Sequence, residues 1–243
     1  MKKLVIMMAA LISLLIFAGC QSGNCDCQAT NNATQTAAED NAKPAKPEEG
    51  TKTDAAPAAV TKTAINVGEA EIALPKPLPT KATLTEALEK RRSIRAYTDE
   101  MLSLEQLSAL LWSANGINRE DGKRTAPSAM NKQSVTIFAA FEKGTYRYDH
   151  KDHKLVLVSN DDLRPVKLAP LELIFTSNGD KEILNGIDAG TASQNAALYC
   201  AVEDLATVIR MQRGDQAELQ AALKLDPKDV PLFNMAIGFE KKD

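Results

Sequence analysis

Ser134-Val135-Thr136-Ile137-Phe138-Ala139-Ala140-Phe141 and the residues after it decide the fold class. The run is apolar, rich in β-branched and aromatic residues, and short, so it reads as a strand. Thr145-Tyr146-Arg147-Tyr148 and Lys154-Leu155-Val156-Leu157-Val158 flank the polar turn Asp149–His153, which predicts a hairpin. Leu171–Phe175 reads as a further strand. A long helix is expected over about Ile183–Leu205. A short strand over Thr207–Met211, a helix over Asp215–Leu223 and a last strand over Leu232–Phe239 complete the pattern. Strands and helices mix without strict β-α-β alternation, so the class is α+β.

Upstream, Thr83-Leu84-Thr85-Glu86 is a capping box: the hydroxyl accepts from the backbone three residues on, and the carboxylate reaches back. A helix is expected from there to about Arg92. Ser103-Leu104-Glu105-Gln106 repeats the device, and Leu104, Leu107, Leu110 and Leu111 then share one helical face, with Gly116 suited to the exit. Trp112 on this helix and Cys200 on the long one read as core residues.

The N-terminus has a different character. Met1-Lys2-Lys3 precedes an apolar run over Leu4–Phe17, and Ala18-Gly19-Cys20 closes it, in the order of a secretory signal. The run is short of the roughly 20 residues a membrane span needs. Phe17-Ala18-Gly19-Cys20 resembles the lipoprotein box, in which Cys20 becomes the lipidated first residue and acyl chains anchor the protein outside the cytoplasm, in the cell envelope. Loss of Lys2 and Lys3 takes the formal charge from −3 to −5. Residues 20–80 are rich in Ala, Thr, Lys and Pro and read as a flexible tether of about 40 Å end to end. Within it Ile65–Val67 and Glu71–Leu74 alternate weakly, as extended chain along a domain edge would. Cys25-Asp26-Cys27 lacks two further ligands for a metal, and a disulfide between such close residues would be strained. The expected organisation is a signal over 1–19, a lipidated cysteine and tether over 20–80, and one domain over 81–243.

An acidic chain with 5% aromatic residues offers neither the positive field nor the stacking surface of a nucleic-acid binder. The sequence also lacks a dinucleotide-binding glycine motif, a phosphate loop, a nucleophile elbow and a His-Glu-x-x-His zinc motif. Its two histidines, His150 and His153, fall in one turn that reads as solvated, so a nucleophile–histidine triad is not expected. If such a chain is an enzyme, a cofactor carries its reaction.

Two segments suit an anionic, ring-bearing ligand. Arg91-Arg92-Ser93-Ile94-Arg95-Ala96-Tyr97 places three guanidinium forks and a hydroxyl at a helix exit, donors matched to phosphate oxygens. Its alternative reading is a basic helix end complementing the dipole. Thr125-Ala126-Pro127-Ser128-Ala129-Met130-Asn131-Lys132-Gln133 brings amides able to read a heteroaromatic edge, with Ser and backbone N–H groups for a phosphate or ribityl chain. Its alternative is a plain Pro-Ser turn.

Together with Leu110-Leu111-Trp112-Ser113-Ala114-Asn115-Gly116-Ile117 and Gly190-Thr191-Ala192-Ser193-Gln194-Asn195, these segments resemble the nitroreductase family of FMN-dependent oxidoreductases, in order and spacing, over roughly residues 82–240. The resemblance implies a central, mostly antiparallel sheet flanked by helices, and a homodimer with FMN in the subunit interface. By motif position, the cluster Arg91, Arg92, Ser93 and Arg95 would hold the phosphate and ribityl end. Pro127, Ser128 and Asn131 would line the flavin from the partner subunit, with Gln133 near the ring or supporting the loop and Gln194 a further contact. The implied reaction is hydride transfer from NAD(P)H to flavin and on to a small-molecule acceptor such as a nitroaromatic or quinone. No catalytic side chain, metal or nucleic acid is implied.

The sequence departs from the family at several points. Ser134-Val135 replaces a usual Pro-Trp, Glu203-Asp204-Leu205-Ala206 replaces a Gly-Leu-Gly turn, and Ile209-Arg210-Met211 stands where a glycine-containing turn is usual. Arg210 is therefore a further candidate for the phosphate charge, as are Lys241 and Lys242 after the last strand. The alternative function is a non-enzymatic flavin- or ligand-binding lipoprotein module of the same fold.

Overall fold

The computed structural model describes residues 62–212 and 214–242. The signal segment, Cys20, Cys25, Cys27 and the first part of the expected tether lie outside the described residues.

Seven strands form one sheet: β1 (Glu71–Ala73), β2 (Val135–Phe141), β3 (Gly144–Asp149), β4 (Lys154–Ser159), β5 (Leu171–Ser177), β6 (Leu205–Met211) and β7 (Val230–Phe239). Their spatial order is β1-β4-β3-β2-β5-β7-β6, and every pairing is antiparallel. Among the described residues four α-helices accompany it: α1 (Leu84–Lys90), α2 (Leu104–Asn115), α3 (Glu182–Val202) and α4 (Gln216–Ala222). This is the expected α+β arrangement.

The period-two alternation of the strands sorts the core into two layers. Val135, Ile137, Ala139 and Phe141 of β2 face α2 and α3, joining Leu107, Leu110, Leu111, Ala192 and Ala196 in the main core. Phe138 and Ala140 face the other way, with Ile174 and Leu223 beneath α4. Both capping boxes form: the Thr83 and Ser103 hydroxyls accept from the Glu86 and Gln106 backbone N–H groups, and the two side chains reach back. Such local devices need no tertiary partner, which is why the sequence displays them.

Three expectations are corrected. First, α1 stops at Lys90 rather than near Arg92, because the chain beyond it pairs with the sheet: Ile94 N–H donates to Thr207 O and Thr98 N–H to Phe239 O. Second, Trp112 is half-buried rather than a core residue, and its Nε1–H donates to Ile117 O. Third, folded structure begins ahead of residue 81. Strand β1 pairs with β4 in register Ile72–Leu155, Leu74 N–H donates to His153 O, and Ile72 and Leu74 join the main core with Ile65 and Val67 packed against it. The weak alternation of this stretch marks a real edge strand, too short to stand out from the polar residues around it. Ile72→Ala should therefore destabilise the domain by about 2–4 kcal/mol in denaturant titration. An unchanged midpoint would mean that the segment contributes nothing to the fold.

Candidate functional site

The arginine cluster lies where the exit of α1 crosses the edge of the sheet. Ile94, Ala96 and Thr98 are hydrogen-bonded through their backbones to β6, Lys241 and β7 respectively, and Tyr97 bridges to Glu240. The Tyr97 hydroxyl donates to Ile94 O at 2.7 Å and closes the bend. The segment is thus fixed through its main chain while its polar side chains stay out. Arg91, Ser93 and Arg95 make no side-chain hydrogen bond or ion pair within the described residues, and Ser93 and Arg95 are exposed. Arg92 differs. Its Nη2 donates to both carboxylate oxygens of Glu240, at 3.0 and 3.3 Å. Arg92 and Ile94 line a groove of about 750 Å³, with Ala197 and Ala201 of α3, Thr207 of β6, and Lys242 after β7. That volume falls in the range of ordinary cofactor and ligand clefts.

Arg210 sits on β6, and it and Arg95 both act electrostatically on the Tyr97 phenol, so the two guanidiniums share one neighbourhood. Burial nonetheless keeps that phenol protonated well beyond its usual range.

The second segment is built by strain and local bonding. Met130, Asn131 and Gln133 all have positive φ, at 54°, 55° and 49°. Asn tolerates that region; Met and Gln do so at a cost of order 1 kcal/mol or more each. The loop is held in place from several directions. The Ser128 hydroxyl accepts from Gln133 N–H at 2.9 Å, and Ala129 N–H donates to the buried Asp188 carboxylate at 2.9 and 3.0 Å. Lys132 reaches Asp180 at 2.7 Å. The Gln133 amide donates to Gly122 O and Asn131 Oδ1, so Gln133 supports the loop from within. Pro127, Met130 and Asn131 are left exposed. Sequence reasoning missed Asp188, whose role depends on a contact across 59 positions; its place nearly two turns ahead of Gln194-Asn195 was the available signal.

Within one chain these two segments do not meet. The loop rests on Asp188 near the start of α3, whereas the groove beside Arg92 is lined by Ala197 and Ala201 near its end. Thirteen helical residues separate Asp188 from Ala201, about 20 Å along the axis. Gln194 lies between them, exposed on a stripe of α3 that also carries Ile183 and Ile187, 73% and 54% exposed.

The histidines belong elsewhere. His150 Nε2 accepts from Arg124 Nη2 at 2.9 Å, since a guanidinium can only donate. His153 Nε2 lies 2.7 Å from Ser108 Oγ and 3.1 Å from Pro75 O, and its Nδ1 is 2.8 Å from the Tyr148 hydroxyl. A carbonyl only accepts, so Nε2 carries the ring proton and donates, and Nδ1 accepts a hydrogen bond from the Tyr148 hydroxyl. The two histidines are therefore half-buried and bonded rather than solvated, His150 by Arg124 and His153 by α2 and Pro75, while Lys151 and Asp152 at the tip of the turn stay exposed. Cys200 is buried and its thiol is held protonated by that burial. No group of three or more His, Cys, Asp or Glu among the described residues is placed to hold a metal.

The sequence profile of the nitroreductase family matches residues 88–239. The chain belongs to the nitroreductase family. A solved structure from Ralstonia eutropha, named as a nitroreductase, is 32% identical, superposes with a TM-score of 0.69, and is matched over 77% of this chain and 97% of its own. A Methanocaldococcus jannaschii protein named as a nitroreductase is 29% identical over 181 residues, 64% of this chain and 90% of its own length. The FMN reductase (NAD(P)H) of Bacillus subtilis is 27% identical over 167 residues, 63% of this chain, and the match spans 64% of that enzyme. The family match covers the arginine cluster, the strained loop and α3, while β1 lies ahead of it.

Burial, with Arg124 beside it, lowers the His150 pKa from 6.5 to about 4, and burial lowers that of His153. The unfolded chain takes up these protons near pH 6.5, so folded stability should fall as pH drops from about 7 and, for His150, level off below 4. Thermal unfolding at pH 7, 5.5 and 4 should show a declining Tm, less steep in His150→Gln; an equal slope in the variant would contradict the assignment.

Proposed function

We propose that this chain is an FMN-dependent oxidoreductase that works as a homodimer. The observation that carries the reading is the donor set Arg91, Ser93 and Arg95: fixed through its backbone, unpaired, and suited to the phosphate of FMN. These residues pass a test of fit. Guanidinium forks are among the strongest phosphate donors, and none of these side chains must break an internal bond to engage one. Arg210 and Lys241 stand within the same end of the fold to add charge.

The loop bearing Pro127, Ser128 and Asn131 would complete the site from the partner subunit, since a copy's own loop is about 20 Å of helix away. The exposed Ile183, Ile187 and Gln194 stripe, with Leu84 and Leu88 of α1 at 67% and 57% exposure, offers the apolar surface that such pairing buries. Asn131 would orient the ring edge, with Gln133 supporting the loop behind it and Gln194 a further contact. Bound FMN supplies two-electron hydride chemistry between NAD(P)H or another donor and a nitroaromatic, quinone or similar acceptor. The chain's part is to bind, orient and shield. The altered segments Glu203–Ala206 and Ile209–Met211 also suit the alternative of a flavin- or ligand-binding module without turnover.

The expected signal and Cys20 lipidation place the domain at the cell envelope, tethered to a membrane and outside the cytoplasm. There a donor other than cytoplasmic NAD(P)H would be needed. Mass spectrometry of the membrane-extracted protein tests this: a diacylated or triacylated Cys20 at the N-terminus supports it, and an intact Met1 opposes it.

The purified protein should be yellow, with flavin absorbance bands. Arg91→Ala with Arg95→Ala should weaken FMN by about 10²- to 10⁴-fold, at roughly 1.5–3 kcal/mol for each of the two charge-assisted contacts. Flavin titration measures this, and unchanged affinity would reject the phosphate role.

A further inference from the structure

One arginine of the cluster is already occupied. Arg92 holds both oxygens of the Glu240 carboxylate, at 3.0 and 3.3 Å, and the two residues line the same groove. The pair is not an accident of two long side chains meeting in solvent. Glu240 follows β7, and its backbone is bridged to Tyr97, while Lys241 N–H donates to Ala96 O. The two backbones are thereby fixed alongside each other, so the carboxylate is presented to the guanidinium by the sheet itself. Glu240 is also the less exposed partner, at 30% against 68% for Arg92.

Resting on the flavin reading above, we propose that Glu240 is a specificity-determining residue: an internal counter-ion that competes with the phosphate of FMN for Arg92. It sets how strongly the site distinguishes a phosphorylated flavin from an unphosphorylated one. Engaging Arg91, Ser93 or Arg95 breaks no internal bond, but a phosphate can use Arg92 only when Glu240 yields. Until it yields, its negative charge also stands near the incoming dianion and repels it. Half-exposed ion pairs are weak, so the barrier is a modest one that phosphate can overcome. The wild-type protein should therefore bind FMN only moderately better than riboflavin, although four basic or hydroxyl groups stand in a row.

Glu240→Gln keeps the shape and the backbone bridge while removing the charge. It should strengthen FMN binding about three- to tenfold and leave riboflavin binding unchanged, in equilibrium titrations followed by flavin fluorescence. Arg92→Gln should weaken FMN binding, and in the Arg92→Gln background Glu240→Gln should lose most of its effect, because the released guanidinium is no longer there. Asp204→Asn supplies the control. Asp204 lines the same groove, 89% exposed and 4.0 Å from Lys90, and removing its charge should change FMN affinity less than twofold. Equal gains from Asp204→Asn and Glu240→Gln would overturn the proposal in favour of a general field. So would an unchanged FMN-to-riboflavin ratio in Glu240→Gln, or a full effect persisting without Arg92. If neither flavin binds to wild type or to Glu240→Gln, the flavin reading falls, and this proposal with it; uptake with an unchanged ratio removes this proposal alone.

Discussion

Three main-chain hydrogen bonds hold the chain beyond α1 against the sheet: Ile94 N–H to Thr207 O, Thr98 N–H to Phe239 O, and Lys241 N–H to Ala96 O. They end the helix at Lys90 and convert what would have been another helical turn into backbone bonded at the sheet edge. Bonding through the backbone leaves Arg91, Ser93 and Arg95 free of internal partners and turns Arg92 toward Glu240. The same bonds draw the end of β7 beside the cluster, so the charge that opposes an anion and the charges that attract it are positioned by one device.

The long helix α3 imposes the second constraint. Its buried face, through Ala189, Ala192, Ala196 and Cys200, packs on the sheet and fixes its course. Its two ends then hold different parts of the candidate site: Asp188 anchors the strained loop, and Ala197 and Ala201 wall the groove near Arg92. No side-chain movement brings these ends together. A two-fold pair of antiparallel copies would, because in an isologous contact each copy would give its loop to the other's arginines.

Much of this could be read from the residues because it is local. The capping boxes at Thr83 and Ser103, the strand alternation of 135–141 and the hairpin over 144–159 depend on neighbours a few positions away. The four motifs of the family were legible for a related reason: their chemistry is held in short segments. What escaped was tertiary. The weak alternation of Glu71–Leu74 marks extended chain along the domain edge, but not its pairing with β4 or that the folded domain begins ahead of residue 81. The hydrogen bonds of His153 to Ser108, Tyr148 and Pro75 join segments up to 78 positions apart, and nothing near the histidine announces them. Asp188 and Glu240 read as ordinary acids until the fold sets one beneath the loop and the other against Arg92.

The central claim is that a flavin site forms from the arginine cluster of one copy and the loop of another. Subunit complementation tests it most directly. Arg91→Ala with Arg95→Ala in one chain, and Ser128→Ala with Asn131→Ala in a second, should each bind FMN poorly alone. Unfolded together in equal amounts and refolded, they should regain FMN binding at about a quarter of all sites, since half the dimers are hybrids and each hybrid holds one intact site. Mixed samples that bind no more FMN than the separate variants would contradict the account.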